Sequence, residues 1–101
     1  MAMRIETIDS TLTVKLEGEI DHHMAKGMRE EIDQTAQRTR PILMILDFKD
    51  VTFMDSSGIG LVMGRYRLME TTNGKLKVIN TSPHIKKVMK LAGLDRLAEI
   101  Q

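Results

Sequence analysis

The chain has 101 residues, 42% of them hydrophobic, which suits one domain (1–101) with a single modest core. Its 15 basic and 14 acidic residues interleave to a net charge of +1, and Phe48, Phe53 and Tyr66 are its aromatic residues, so a basic, base-stacking surface for direct nucleic-acid binding is excluded. It has no cysteine, which excludes disulfides, thiolate metal sites and cysteine nucleophiles.

The start, Met1 to Glu6, lacks the apolar core of a signal peptide. The longest apolar run, Ile42 to Leu46, is far too short to span a bilayer as a helix. A cytoplasmic protein without membrane contact is therefore expected. Arg4 to Ile8 reads as a strand and Asp9-Ser10 as a turn. Leu12, Val14 and Leu16 alternate with Thr13, Lys15 and Glu17, the period of a half-buried strand, so the two strands should form an antiparallel hairpin. Gly18 ends the clean alternation, and Glu19-Ile20 leads into Asp21-His22-His23. A helix is predicted from about Met24 to Arg38, with Met24, Met28 and Ile32 inward and Arg29, Glu30, Asp33, Gln34 and Gln37 wet.

Pro41 blocks continuation of that helix. Ile42 to Leu46 reads as a central strand buried on both faces. Asp47 to Asp50 reads as a polar turn, with Val51 to Met54 extended behind it. A second helix is predicted over about Ser57 to Thr71, with Ile59, Val62, Met63, Tyr66 and Met69 as its apolar stripe and Arg65 and Arg67 in solvent. Asn73-Gly74 is a turn, and Leu76, Val78 and Ile79 mark a strand. Ser82 and Pro83 suit the cap and first turn of a third helix. Ile85, Val88, Met89 and Ala92 form its apolar face, and Gly93 suits its end. Leu97 to Ile100 would add a short edge strand. Most of the nine methionines should fill the core. The order β-β-α-β-α-β-α-β indicates an α/β fold: a mixed, mostly parallel sheet of four or five strands packed with three helices.

In such sheets, ligands and partners meet the carboxyl ends of the strands. Two loops of interest lie there. In Asp55-Ser56-Ser57-Gly58, Asp and Ser can cap a helix. Two serines and a carboxylate exceed what one cap needs, and Gly58 and Gly60 either keep the helix start bare for an approaching backbone or serve close packing. Helix amides could also hold a phosphoryl group there. Asp21-His22-His23 offers a cap and two histidines. Adjacent histidines on extended chain point apart, and only His84 remains elsewhere, so no metal site is expected. A serine hydrolase would need the Gly-x-Ser-x-Gly elbow, which is missing. Gly58-x-Gly60 is too short for a dinucleotide fingerprint. No cofactor and no enzymatic activity are expected.

Gly18-Glu19-Ile20-Asp21-His22-His23, then Phe53-Met54-Asp55-Ser56-Ser57-Gly58-Ile59-Gly60, then Gly64-Arg65-Tyr66 resemble the STAS family. The likeness is greatest to its stage II sporulation branch of anti-sigma factor antagonists. It runs over nearly the whole chain, including Ser82-Pro83 and Leu91-Ala92-Gly93-Leu94. The resemblance implies partner switching. The unphosphorylated antagonist binds an anti-sigma factor that is also a serine kinase, and a sigma factor is freed. The kinase phosphorylates the serine after the motif aspartate, here Ser56, with Ser57 the alternative, and binding is lost. A serine phosphatase resets the protein. The resemblance puts Asp21, His22, His23, Asp55, Ser56, Ser57, Gly58 and Ile59 on the partner-binding surface. The same family also supplies scaffolds of stress-signalling complexes and regulatory subunits of transporters, which is the alternative role. Close relatives continue into a C-terminal helix beyond the position of Gln101. Without it, apolar surface near the end would be open to self-association, so a monomer or weak dimer is expected.

Overall fold

The computed structural model describes residues 3–101. Strands β1 (Met3–Ile8) and β2 (Thr11–Ile20) form the antiparallel hairpin. Asp9 makes its turn at φ +54, a left-handed geometry that Asp tolerates better than most residues. The chain continues through helix α1 (His22–Thr39), strand β3 (Leu43–Met54), helix α2 (Ser56–Glu70), strand β4 (Lys75–Ile79), helix α3 (Pro83–Leu91), a 3-10 turn (Leu94–Arg96) and strand β5 (Glu99–Ile100). Serine and proline open α3 as expected, with Ser82 Oγ accepting from Ile85 N at 3.2 Å. The last strand is shorter than expected and begins only at Glu99, leaving Leu97 outside it.

The five strands lie across the sheet in chain order, parallel from β2 to β5. Each crossover therefore steps one strand over in the same direction. Right-handed connections repeated in one direction bring every helix onto the same face. The shortest dimension, 19 Å, fits one sheet and one layer of helices about 10 Å across. Leu12, Met44 and Leu76 form one cross-strand row, and Val14, Leu46 and Val78 the next. All six are buried against Met28, Ile32, Leu61, Val62, Met69, Ile85 and Met89. The alternate row, Thr13, Ile45 and Lys77, is on the open face.

Three sequence readings of the sheet and its packing need correction. The run from Ile42 to Leu46 is not buried on both faces. Met44 and Leu46 are fully buried, Leu43 and Ile45 are half-buried, and Ile42 lies before the strand at 65% exposure. The helices all fall on one side, so among the described residues nothing covers the other face. Asp47 to Asp50 is not a turn but the middle of β3. Pairing with β2 carries the strand through these polar residues, and the register shifts between Lys15 and Glu17 accommodate an extra residue on β3. The Asp47 carboxylate accepts from Lys49 N at 2.9 Å and from Asn80 Nδ2 at 3.0 Å.

The third correction is Arg65. The buried stripe of α2 is Gly58, Leu61, Val62, Arg65 and Met69, while Ile59, Met63 and Tyr66 flank it half-buried. Arg65 is 4% exposed instead of solvated. Its Nε lies 2.9 Å from Asp33 Oδ1 on α1. The N–H is not aimed along that contact, so Asp33 Oδ1, Arg65 Nε and Arg65 Nη1 are buried without a hydrogen bond. Burial pushes the Asp33 carboxyl up from its ordinary range, and attraction to Arg65 and Arg29 offsets only part of this. Burial likewise lowers Arg65 against the pull of Asp33.

The one-sided core makes a direct prediction. Leu46→Ala should cost about 2–5 kcal/mol in urea unfolding, as a buried leucine does. Ile45→Thr, on the open face of the same strand, should change stability by less than about 1 kcal/mol. Equal losses at both positions would mean that both faces are covered.

Candidate functional site

The site is assembled where β2 and β3 end. Ile20 and Met54 are cross-strand partners, and Asp55 N donates to Ile20 O at 3.2 Å. The next residues on each strand, Asp21 and Asp55, therefore start side by side. Each takes an extended backbone conformation and caps the helix it opens. Asp21 Oδ1 accepts from Met24 N at 2.9 Å, and Asp55 Oδ1 accepts from Ser57 N at 2.7 Å. Ala25 N donates to Asp21 O at 2.9 Å and Gly58 N to Asp55 O at 3.0 Å, closing both first turns. A carboxylate at a helix N-terminus satisfies free amides and complements the dipole. Two such ends meet at one edge of the sheet.

His22 and His23 are not on extended chain as expected. The cap at Asp21 draws them into the first turn of α1, where both are exposed. With Ala25, Lys26, Arg29, Ser57, Gly60 and Leu61 they line an open cleft of about 390 Å³ between α1 and α2. His22, Lys26 and Arg29 sit at i, i+4 and i+7, one face of a helix. Lys26 and Arg29 were not singled out by sequence, although their spacing from His22 was the signal that could have found them. Among the described residues, no group of three or more His, Cys, Asp or Glu side chains could hold a metal ion. No helix among them is long and apolar enough to cross a membrane.

The two serines differ in setting. Ser56 is the first residue of α2 and is exposed, whereas Ser57 is half-buried and lines the cleft. No hydrogen bond joins either serine to a histidine among the described residues. Gly58 faces inward. A Cβ built on it would lie 2.0 Å from Met54 Cγ and 2.5 Å from Met54 Sδ. Ile59 packs against the core, and Gly60 is open. The structure thus brings Asp21, His22, His23, Asp55, Ser56 and Ser57 to one surface, with Gly58 and Ile59 as the packing beneath. Phe53, just before the site, is 52% exposed: β3 pairs with β4 only as far as Asp47, so Phe53 projects beyond that pairing.

A family model described as STAS domain matches residues 2–101. An anti-sigma F factor antagonist of Paenibacillus polymyxa is 32% identical over 100 residues, covering 99% of this chain and 86% of its own. The solved structure of the anti-sigma factor antagonist SpoIIAA in its unphosphorylated form is 34% identical, with a TM-score of 0.86 over 99% of this chain and 88% of that one. The Bacillus cell fate determinant SpoIIAA in its phosphorylated form is also 34% identical, with a TM-score of 0.79 over 99% and 91%.

The two motif glycines should respond in opposite ways to alanine. Gly58→Ala collides with Met54 Cγ and Sδ, so Met54 must leave its packed rotamer, and the variant should lose about 1–3 kcal/mol. Gly60→Ala meets nothing within 4 Å and should gain up to about 1 kcal/mol from helix propensity. Thermal or urea unfolding of both variants checks this, and equal signs would contradict the packing of Gly58 on Met54.

Proposed function

The chain belongs to the STAS family, and on that footing we propose that it is an anti-sigma factor antagonist whose switch is phosphorylation of Ser56. The observation that carries this reading is the position of Ser56. It stands exposed at the first helical position of α2, beside two aspartate-capped helix starts held level by the Ile20–Met54 pairing. The Paenibacillus relative is an anti-sigma F factor antagonist, and SpoIIAA exists in unphosphorylated and phosphorylated forms. In this reading the whole chain acts as one domain in the cytoplasm. Its unphosphorylated form binds an anti-sigma factor with serine kinase activity and frees a sigma factor. The kinase transfers a phosphoryl group from ATP to Ser56, and a serine phosphatase removes it.

The physics of the switch is local. A phosphate adds about −1.5 to −2 charges at neutral pH. At Ser56 it arrives next to the carboxylate of Asp55, on a surface a partner must desolvate. A loss of about 4 kcal/mol in binding is a thousandfold. The fold has no reason to change, because Ser56 is outside the core. Ser57 differs. A phosphate there faces the cleft that holds Lys26 and Arg29, whose charges would offset its own. Ser56 is thus a substrate of another protein's kinase and not a catalyst.

Incubation with purified anti-sigma F factor and ATP should place one phosphate on Ser56, read by mass spectrometry of the digested protein. Ser56→Asp should weaken binding to that factor by about 100- to 1000-fold while melting as the parent does. Ser57→Asp should weaken it far less. An unmodified Ser56, or wild-type affinity in Ser56→Asp, would sink the proposal.

A further inference from the structure

We infer that Asp33 and Arg65 are positioning residues: their contact fixes the register of α1 against α2, and through it the spacing of the Asp21 and Asp55 loops. The inference rests on the partner face proposed above. It starts from an oddity of composition. Arg65 occupies the centre of the buried stripe of α2, where an aliphatic residue would serve the core. Among the described residues the other ion pairs, Arg4–Glu17 and Lys77–Glu99, are exposed and join neighbouring strands. Asp33–Arg65 is the pair that joins two helices and has a buried partner, the Arg65 side chain being 5% exposed and that of Asp33 29%.

Burial works against the charge of both partners. A buried pair of this kind commonly adds no stability over apolar residues of similar volume. Its particular property is that it draws one point on each helix together at close range. The other buried residues of the two helices are apolar, Met28, Ile32, Ala36, Leu61 and Met69 among them, and flexible or small apolar side chains repack readily when helices slide. A 2.9 Å contact between a guanidinium and a carboxylate does not. A slide of even 1–2 Å, a common size for helix shifts, would open it. Holding register is the best-attested use of a buried polar contact.

The lever arms are short and stiff. Asp33 is 12 residues beyond the cap at Asp21, about 18 Å of helix, and Arg65 is 10 residues beyond the cap at Asp55, about 15 Å. Both caps start level because Ile20 and Met54 are partners. The long reach of Arg65 spans the small difference. Each helix is thus held at its start by the strands and at its middle by the ion pair. The surface made by Asp21, His22 and Ser56 cannot shear unless the pair opens.

Three variants test this: Asp33→Leu/Arg65→Met, Asp33→Asn and Arg65→Lys. Three readouts separate the roles: the melting temperature, the amide resonances of Met24 and Ser57, and affinity for purified anti-sigma F factor. The double variant should melt at or above the wild-type temperature. Its Met24 and Ser57 amides should nonetheless move, and affinity should fall about tenfold. Arg65→Lys keeps charge and reach, so it should stay near wild type in all three. If the double variant does not fold, Asp33→Asn, which keeps shape and removes charge, must show the same shifts. A folded double or Asp33→Asn variant with Met24 and Ser57 resonances at wild-type positions overturns the inference. The resonances need no partner, so they decide the register question even if the wild-type protein fails to bind the factor, an outcome that would instead remove the functional proposal.

Discussion

Parallel pairing of β2 with β3 positions the rest of the molecule. Between the partners Lys15 and Asp47 and the partners Ile20 and Met54, β2 advances five residues and β3 advances seven. Two register shifts absorb the difference. Without them the strand ends would miss each other by two residues, about 6–7 Å, and Asp21 and Asp55 would no longer start level. Bulges near active surfaces commonly re-aim the chain beyond them. Gly18, at φ +77, stands at the second shift, where a residue with a side chain would be strained. The polar stretch in the middle of β3 is therefore part of the device that brings two helix starts together.

Much of this was legible in the sequence because it is local. Alternation gave the hairpin strands, the 3.6-residue period gave the helices, and Ser82-Pro83 fixed the start of α3 within one residue. The order of strands and helices led to a mostly parallel sheet, and both candidate loops were placed at the carboxyl ends of their strands. What failed was not local. Asp47 to Asp50 has the composition of a turn, and pairing with β2, joined at Asp47 by β4, keeps it extended. The burial of Leu43 and Ile45 depends on which face receives the helices, which no window of sequence contains. His22 and His23 became helical through a side-chain cap at Asp21, so the helix started two residues earlier than its apolar period indicated.

Arg65 shows the same limit in sharper form. Assigning faces by polarity sends every arginine outward. The rule fails when the counter-charge belongs to another helix, because the residue that makes burial tolerable is 32 positions away. With Arg65 inward, the stripe of α2 rotates toward Gly58 and Leu61. That rotation turns Ile59 and Tyr66 to the flanks and seats Gly58 on Met54. The orientation of the serine loop is thus tied to a charged contact some three turns down the helix.

The orientation matters because neighbouring residues on a helix point about 100° apart. Ser56 and Ser57 are adjacent in sequence and chemically identical, yet Ser57 lines a cleft with two cationic side chains and Ser56 does not. A negative charge added to one would be met by Lys26 and Arg29. The same charge added to the other would stand in solvent beside an aspartate cap. A phosphate carries no more charge at one serine than at the other. What decides whether it is compensated or left to repel an approaching surface is the rotation of α2, which its buried stripe and the cap at Asp55 determine. A kinase reading the exposed serine would therefore be reading a position set by packing as much as by sequence.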